Sequence, residues 1–131
     1  MSQKTIFFVI IGVLVLGVIG SVLMGVGGSL GGGVPDGKYD ALATCIKDKG
    51  ATFYGAFWCP HCQATKKEFG SAAKLLPYVE CSTADASGQL PVCADKKIDG
   101  YPTWIFADGS KLTGEVSLQA LADKTACTLP Q

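Results

Sequence analysis

The sequence has no arginine, a single histidine and no net charge, because 11 lysines balance 11 acidic residues among its 131 positions. Proteins that bind nucleic acid usually present a basic surface with arginine among its contacts. The composition therefore excludes nucleic acid as an expected partner. A chain of this length is also expected to form one domain rather than several.

Charged residues are also missing from the first part of the chain, where none lies between Lys4 and Asp36. Within this stretch Ile6–Met24 reads IFFVIIGVLVLGVIGSVLM. As a helix, it would span roughly 29 Å at about 1.5 Å per residue, which is close to the thickness of a membrane hydrocarbon core. The run predicts a transmembrane anchor at residues 5–24, preceded by a short N-terminus at residues 1–4.

A cleaved signal peptide is the alternative explanation of this apolar run. Such peptides usually have a shorter apolar region, a more basic start and an A-x-A-like cleavage site. Here Lys4 and the terminal amine are the only basic groups at the start, and neither an A-x-A sequence nor a cysteine comes directly after the run. These features favour an uncleaved anchor. Because Lys4 stands alone while Asp36 and Lys38 occupy the other flank, we expect residues 1–4 in the cytoplasm and the remainder outside it.

Glycine is concentrated at the same end of the chain, with nine of the 17 glycines in the first 33 residues. Residues 25–33 read GVGGSLGGG, a composition typical of flexible linkers. The turn-forming sequence VPDG follows. We therefore expect a tether at residues 25–37 and a folded domain at residues 38–131, which is large enough for a small core.

Apolar periodicity in residues 38–131 alternates between helical and extended patterns. It predicts the element order α-β-α-β-α-β-β-α, and hence an α/β domain. The expected helices are residues 39–50, residues 60–69 with a short continuation at 71–76, residues 90–97 and a last helix capped by Ser117. The expected strands are residues 51–57, 78–81, 103–107 and 111–113, with a hairpin turn at Asp108-Gly109.

The sequence Trp58-Cys59-Pro60-His61-Cys62 follows the first expected strand and begins the second helix. Proline suits the first turn of a helix, and cysteines three residues apart lie on one helix face, close enough to form a disulfide. The free N–H groups and the dipole at the helix N-terminus favour a thiolate at Cys59. We therefore predict a catalytic motif in which Cys59 is the attacking sulfur and Cys62 the resolving one.

Other uses of a Cys-x-x-Cys motif fit less well. A zinc site needs two more suitably spaced ligands, but 11 residues separate Cys81 from Cys93, so no second Cys-x-x-Cys is present. Covalent haem attachment requires histidine directly after the second cysteine, where this chain has Gln63. An inert structural disulfide is the remaining alternative, although a bridge across so tight a turn is strained and reducible. We expect neither a metal nor a cofactor.

Together with Gly100-Tyr101-Pro102-Thr103-Trp104, this motif resembles the active site of the thioredoxin superfamily. More narrowly, the stretches FYGAFWCPHC, LLPYVEC and GYPTW resemble the thioredoxin-like domain that is fused to, or partners, bacterial homologues of vitamin K epoxide reductase. The resemblance covers residues 39–127. It implies a thioredoxin fold, in which helices flank a central mixed β-sheet.

The resemblance also implies a substrate-binding groove. Pro102 looks like the cis-proline that lies against the active-site disulfide. Tyr101 would offer backbone hydrogen bonds to an extended substrate segment. Trp58 would lie at the rim of the same groove, while Trp104 is expected either at the rim or in the core.

Two positions depart from the pattern of cytosolic thioredoxins. Phe53 stands where those proteins have a buried aspartate, and Pro60-His61 replaces their Gly-Pro dipeptide. The Pro-His pair resembles the dipeptide of DsbA, a strong periplasmic oxidant. A histidine near the Cys59 sulfur would stabilise the thiolate, and stabilising the reduced form raises the reduction potential. Both departures imply an oxidant rather than a dedicated reductase.

Four cysteines lie outside the motif, and they allow three pairings. Cys81 and Cys93 flank a loop that their disulfide would close. Cys45 and Cys127 would then join the first helix to the end of the last one, each closure contributing about 3–5 kcal/mol in chain-entropy estimates. Free buried thiols are the alternative. Disulfides require an oxidising compartment, which agrees with a domain anchored outside the cytoplasm.

The sequence therefore predicts a membrane-anchored thiol–disulfide oxidoreductase in a periplasm, in a lumen or at a cell surface. It would oxidise the thiols of client proteins through a Cys59–Cys62 disulfide. The expected membrane partner is a quinone-linked oxidase such as a vitamin K epoxide reductase homologue, near which the tether would concentrate the domain. The alternatives are a reductase or isomerase of the same compartment and a non-catalytic binding module.

Overall fold

Four short strands form the centre of the structure, a computed structural model that describes residues 33–131. The predicted anchor at residues 5–24 and most of the predicted tether at residues 25–37 lie outside the described residues. Within residues 33–131, no helix combines the length and the apolar character that crossing a membrane requires.

The helices and strands follow one another in the predicted order. In chain order they are helix α1 (Asp40–Asp48), strand β1 (Thr52–Gly55), helix α2 (Pro60–Phe69), a 3₁₀ helix (Gly70–Leu75), strand β2 (Tyr78–Glu80), helix α3 (Pro91–Ala94), strand β3 (Thr103–Ile105), strand β4 (Lys111–Thr113) and helix α4 (Leu118–Thr125). The predicted α/β class is confirmed.

The sheet is mixed, with the strand order β2-β1-β3-β4. Strand β1 runs parallel to β2, whereas β3 is antiparallel to both β1 and β4. Tyr54 pairs with Thr103, and Thr103 pairs with Thr113. The carboxyl ends of β1, β2 and β4 therefore lie at the same edge of the sheet as the amino end of β3. The segments that follow β1 and precede β3, which carry the predicted site, meet at this edge.

The core packs aromatic and aliphatic side chains of the sheet against the helices. Phe53 and Trp104 are fully buried and stacked, with ring centroids 4.7 Å apart and planes 8° apart. Leu42, Phe69 and Leu121 from α1, α2 and α4 belong to the same buried cluster. Burial of each such side chain contributes about 1.5–3 kcal/mol. Trp104 is thus a core residue and does not lie at the rim of the groove.

Strands β1 and β3 each end two residues earlier than the apolar pattern predicts. The extended runs at residues 51–57 and 103–107 end early because a turn interrupts each of them. After β1, the Cys59 N–H donates to the Ala56 carbonyl at 3.0 Å. After β3, the Gly109 N–H closes the predicted hairpin turn. The length of an apolar run therefore overestimates the length of a strand when the turn residues that follow the strand are also apolar or aromatic.

Helix α3 is also shorter than the predicted residues 90–97. Lys97 has a φ of +52°, in the left-handed region, and a helix cannot continue through that conformation. The Ile98 N–H turns back to donate to the Cys93 carbonyl. The short helix is also joined to the end of β2, because Cys93 forms a disulfide with Cys81.

A second disulfide joins the two ends of the domain. Cys45 of α1 is bonded to Cys127, just beyond α4, with a sequence separation of 82 residues. Cys81 and Cys93 are only 12 residues apart. Both pairings are those that the cysteine spacing favours, and they leave Cys59 and Cys62 as the free cysteines of residues 33–131.

Candidate active site

The Cys59–Cys62 pair lies at the start of α2, at the sheet edge where β1 ends. Cys59 is the N-cap residue with extended backbone angles, and Pro60 occupies the first turn, where a missing N–H costs no hydrogen bond. Both thiols are buried. The local sequence therefore places one sulfur at the helix N-terminus and the other a turn deeper.

The Cys59 sulfur faces the segment that leads into β3. Its thiol donates to the Tyr101 carbonyl, with a sulfur–oxygen distance of 3.6 Å. The peptide bond between Tyr101 and Pro102 is cis. The structure thus brings Cys59 together with Tyr101 and Pro102, two other sequence-predicted site residues that lie more than 40 positions further along the chain.

The Cys62 sulfur lies over β1 at Gly55, and Tyr78 of β2 approaches the same point. A Cβ atom at Gly55 would lie 2.9 Å from the Cys62 sulfur and 2.8 Å from a ring carbon of Tyr78. No side chain fits there without displacing one of them. Sequence reasoning missed this role, although an isolated glycine within a strand is a known signal of close approach.

Burial, with a smaller contribution from the neighbouring Cys59 sulfur, raises the pKa of the Cys62 thiol to about 12. Cys62 therefore keeps its proton throughout the neutral pH range. The two cysteines therefore differ in environment. Cys59 lies at the helix end beside Tyr101, and Cys62 lies beneath it.

An exposed aromatic rim borders the Cys59 thiol. Phe57 and Trp58 are 48% and 47% exposed. The Trp58 indole N–H donates to the Ser82 hydroxyl at 2.8 Å, and the ring meets Tyr101 edge to face at 6.0 Å. The Gln89 side chain donates to the Tyr101 hydroxyl at 2.7 Å. The loop after β2 therefore supports two of the predicted substrate-binding residues.

Glu80, at the end of β2, connects this loop to the active-site turn. Its carboxylate accepts hydrogen bonds from the Ser82 N–H at 2.8 Å, the Phe57 N–H at 3.2 Å and the Tyr78 hydroxyl at 2.7 Å. Burial opposes ionisation of Glu80, but these bonds outweigh it and lower the pKa of the carboxyl. Burial and the bond to Glu80 raise the pKa of Tyr78. The only acidic residue of an apolar strand was an available signal that sequence reasoning did not use.

His61 lies on the outside of the motif, and its side chain is 66% exposed. Its Nδ1 atom lies 2.5 Å from Oε1 of Glu115, in the segment after β4. The sequence predicts that His61 acts on the Cys59 thiolate, and the structure adds a carboxylate partner that this prediction did not include. Nothing in the sequence links Glu115 to His61, because the two residues are 54 positions apart.

A comparison with known protein families identifies the domain. The sequence profile of the family described as thioredoxin matches residues 43–126. The chain belongs to the thioredoxin family. Its mixed sheet, its flanking helices and the thiol pair at the start of α2 are thus those of a thioredoxin-like α/β fold.

The thioredoxin-family region is also similar to part of a larger plant protein. Over 95 residues it is 46% identical to "Thiol-disulfide oxidoreductase LTO1" of Arabidopsis thaliana. The aligned segment covers 70% of this chain and 25% of the relative. The chain therefore spans about a quarter of the length of that relative.

This thioredoxin-family domain has the groups that thiol–disulfide exchange needs. A free pair of buried sulfurs lies beside the backbone of Tyr101, and the four remaining cysteines are bonded to one another. In residues 33–131, no group of three or more His, Cys, Asp or Glu side chains is arranged to hold a metal ion. The arrangement can form and break a disulfide between Cys59 and a substrate sulfur.

Proposed function

We propose that the protein is a thiol–disulfide oxidoreductase whose Cys59 and Cys62 alternate between dithiol and disulfide. The observation that carries the proposal is the free thiol pair at the start of α2, with Cys59 against the Tyr101 carbonyl. The printed name of the plant relative agrees with this activity. The alignment covers only a quarter of that relative, so the activity proposed for this chain rests on its own geometry.

We propose oxidation of client thiols as the direction of the reaction. A client thiolate attacks Cys59 of the disulfide, which forms a mixed disulfide and releases Cys62 as a thiolate. Burial favours the neutral form of Cys62, so the released sulfur takes up a proton. A second client thiolate then attacks the client sulfur bonded to Cys59. The client gains a disulfide, and the protein gains two electrons, with Cys59 leaving as a thiolate and Cys62 as a thiol.

Tyr101, Pro102 and Trp58 are proposed to bind the client. An extended segment could pair with the backbone near Tyr101, as an added strand does at an open sheet edge. The exposed ring of Trp58, held by Ser82, would contact apolar client side chains. His61 is proposed to stabilise the Cys59 thiolate.

We further propose that residues 5–24 anchor the domain outside the cytoplasm and that a quinone-linked membrane oxidase reoxidises it. The uncharged apolar run supports the anchor, and two disulfides support an oxidising compartment. The resemblance of the FYGAFWCPHC stretch to domains that partner vitamin K epoxide reductase homologues supports the reoxidising partner. The Cys62→Ala variant should trap that partner as a mixed disulfide in membranes. Failure to trap any membrane protein would reject it.

Equilibration of the purified chain with glutathione buffers tests the direction. We expect a reduction potential well above the value of about −270 mV that characterises thioredoxin. A potential near that value would instead indicate a reductase or isomerase. Oxidation of a peptide with two thiols should be lost in the double variant Cys59→Ala, Cys62→Ala. Full biological activity of that variant would indicate a binding module without catalysis.

A further inference from the structure

The contact between His61 and Glu115 joins two segments that border the active site from different sides. His61 belongs to the first turn of α2, directly after Cys59 and Pro60. Glu115 follows β4, where the Gly114 N–H donates to the Pro102 carbonyl at 2.8 Å. The segment that carries Glu115 is therefore fixed against Pro102. The His61–Glu115 pair lies at the same sheet edge as the Cys59 sulfur.

The charge of His61 matters to Cys59 because reduction of the disulfide releases Cys59 as a thiolate. A cation near that sulfur stabilises the thiolate and makes the disulfide easier to reduce. A carboxylate against the imidazole has the opposite effect. An imidazolium and a carboxylate at 2.5 Å form a dipole, whose field at Cys59 is weaker than that of the unpaired cation.

We propose that Glu115 is a positioning residue that holds His61 and neutralises its charge, so that the Cys59–Cys62 disulfide is a weaker oxidant than its Pro-His dipeptide alone would make it. This inference rests on the proposed function, because it concerns the reduction potential of the same cysteine pair. It assigns a role in the active site to a residue from an exposed segment 53 positions beyond Cys62.

The charged groups around His61 single out Glu115 as its partner. Residues 33–131 contain two ion pairs, and the other joins Lys124 to Asp108. Along the sequence of its own helix, the titratable residues closest to His61 are Cys59 and Cys62. The ammonium group of Lys66 lies over the Tyr78 ring, 3.4 Å from its centroid.

The test compares the parent chain with the variants Glu115→Gln, Glu115→Lys and His61→Ala in glutathione buffers at pH 6. Exposed ion pairs are weak, so at pH 6 we expect Glu115→Gln to shift the equilibrium towards the reduced form by about two- to fivefold. Glu115→Lys should shift the equilibrium further in the same direction.

Two controls separate this role from general effects of charge and structure. Glu68→Gln removes an equally charged and exposed carboxylate from α2, and we expect it to leave the equilibrium unchanged. In the His61→Ala background, Glu115→Gln should shift the equilibrium no more than Glu68→Gln does. Far-UV circular dichroism of every variant establishes that the fold is retained, as expected for changes at exposed side chains.

Three results would overturn the inference. They are an unchanged equilibrium in Glu115→Gln at pH 6, a shift towards the oxidised form, and an equal shift in the presence and absence of His61. These results differ from a failure of the proposed function. In that case the parent chain itself would not interconvert between dithiol and disulfide with glutathione, whatever residue occupied position 115.

Discussion

At Gly55, strand β1 lies close to both the Cys62 sulfur and the Tyr78 ring. Its missing side chain lets the Cys62 sulfur and the Tyr78 ring approach the strand together. The alternation of side chains along β1 places Gly55 on the same face of the sheet as the buried Phe53. The space above Gly55 is therefore enclosed by packed side chains, and a larger residue cannot turn away from them.

We expect Gly55→Ala to lower the free energy of unfolding by about 1–3 kcal/mol, the usual cost of inserting a methyl group into a packed core. Urea denaturation monitored by tryptophan fluorescence measures this loss. Gly88→Ala is the matched control, because the nearest atom to its added Cβ would be 3.6 Å away, an ordinary contact. Equal stabilities of the two variants would contradict the close approach at Gly55.

At the level of elements, β2 and the active-site turn are joined by the carboxylate of Glu80. It binds the backbone on both sides, at Phe57 and at Ser82, and it also accepts from Tyr78. Ser82 in turn supports Trp58. The edge strand thus helps to hold the rim of the groove as well as the sheet.

Replacing Glu80 by glutamine should lower the free energy of unfolding by about 1–2 kcal/mol at pH 7, since hydrogen bonds to a charged group are lost or weakened. The pKa of Glu80 is lowered in the folded state, so its contribution is complete above its ordinary value of 4.5 and is lost as the pH falls through the folded-state value. The difference between parent and variant should therefore vanish in acid. Urea denaturation at several pH values between 3 and 7 measures it.

Glu68→Gln provides the control for this experiment, because Glu68 is exposed on α2. That variant should keep the acid-dependent loss of stability seen in the parent chain. A pH profile for Glu80→Gln that runs parallel to the parent profile would contradict the role of the carboxylate.

The elements also show why local sequence predicts some features and misses others. Both ends of α2 are marked locally, by Pro60 at its start and Gly70 at its end, and the structure confirms them. Helix α3 is misjudged because the chain adopts a left-handed conformation at Lys97. An apolar pattern does not reveal that backbone conformation.

The candidate site also combines residues that the sequence alone identifies with residues that it does not. The spacing of Cys59 and Cys62 is local, and sequence alone identifies it. Glu80 and Glu115 reach the site only because β2 and β4 end at the same sheet edge as β1, which is a property of the sheet order. Residues of this kind become recognisable once the strand neighbours are known.

For the whole molecule, the two disulfides differ most in the length of chain they close. The Cys45–Cys127 separation is 82 residues, and the Cys81–Cys93 separation is 12. Removing the long closure by a double change to serine should therefore cost about 1.5–2 kcal/mol more than removing the short one. Urea denaturation without reductant compares the two variants. A greater loss for the Cys81–Cys93 variant would show that local strain or packing outweighs chain entropy.

The same long closure decides how the domain responds to a pulling force. A force applied between residue 33 and the C-terminus passes from α1 to the segment beyond α4 through the sulfur–sulfur bond of Cys45 and Cys127. All four strands and the Cys59–Cys62 pair lie within the closed loop and carry none of this tension. Only the short segments outside the loop can extend. While this bond is intact, the active site is mechanically insulated from strain on the ends of the domain.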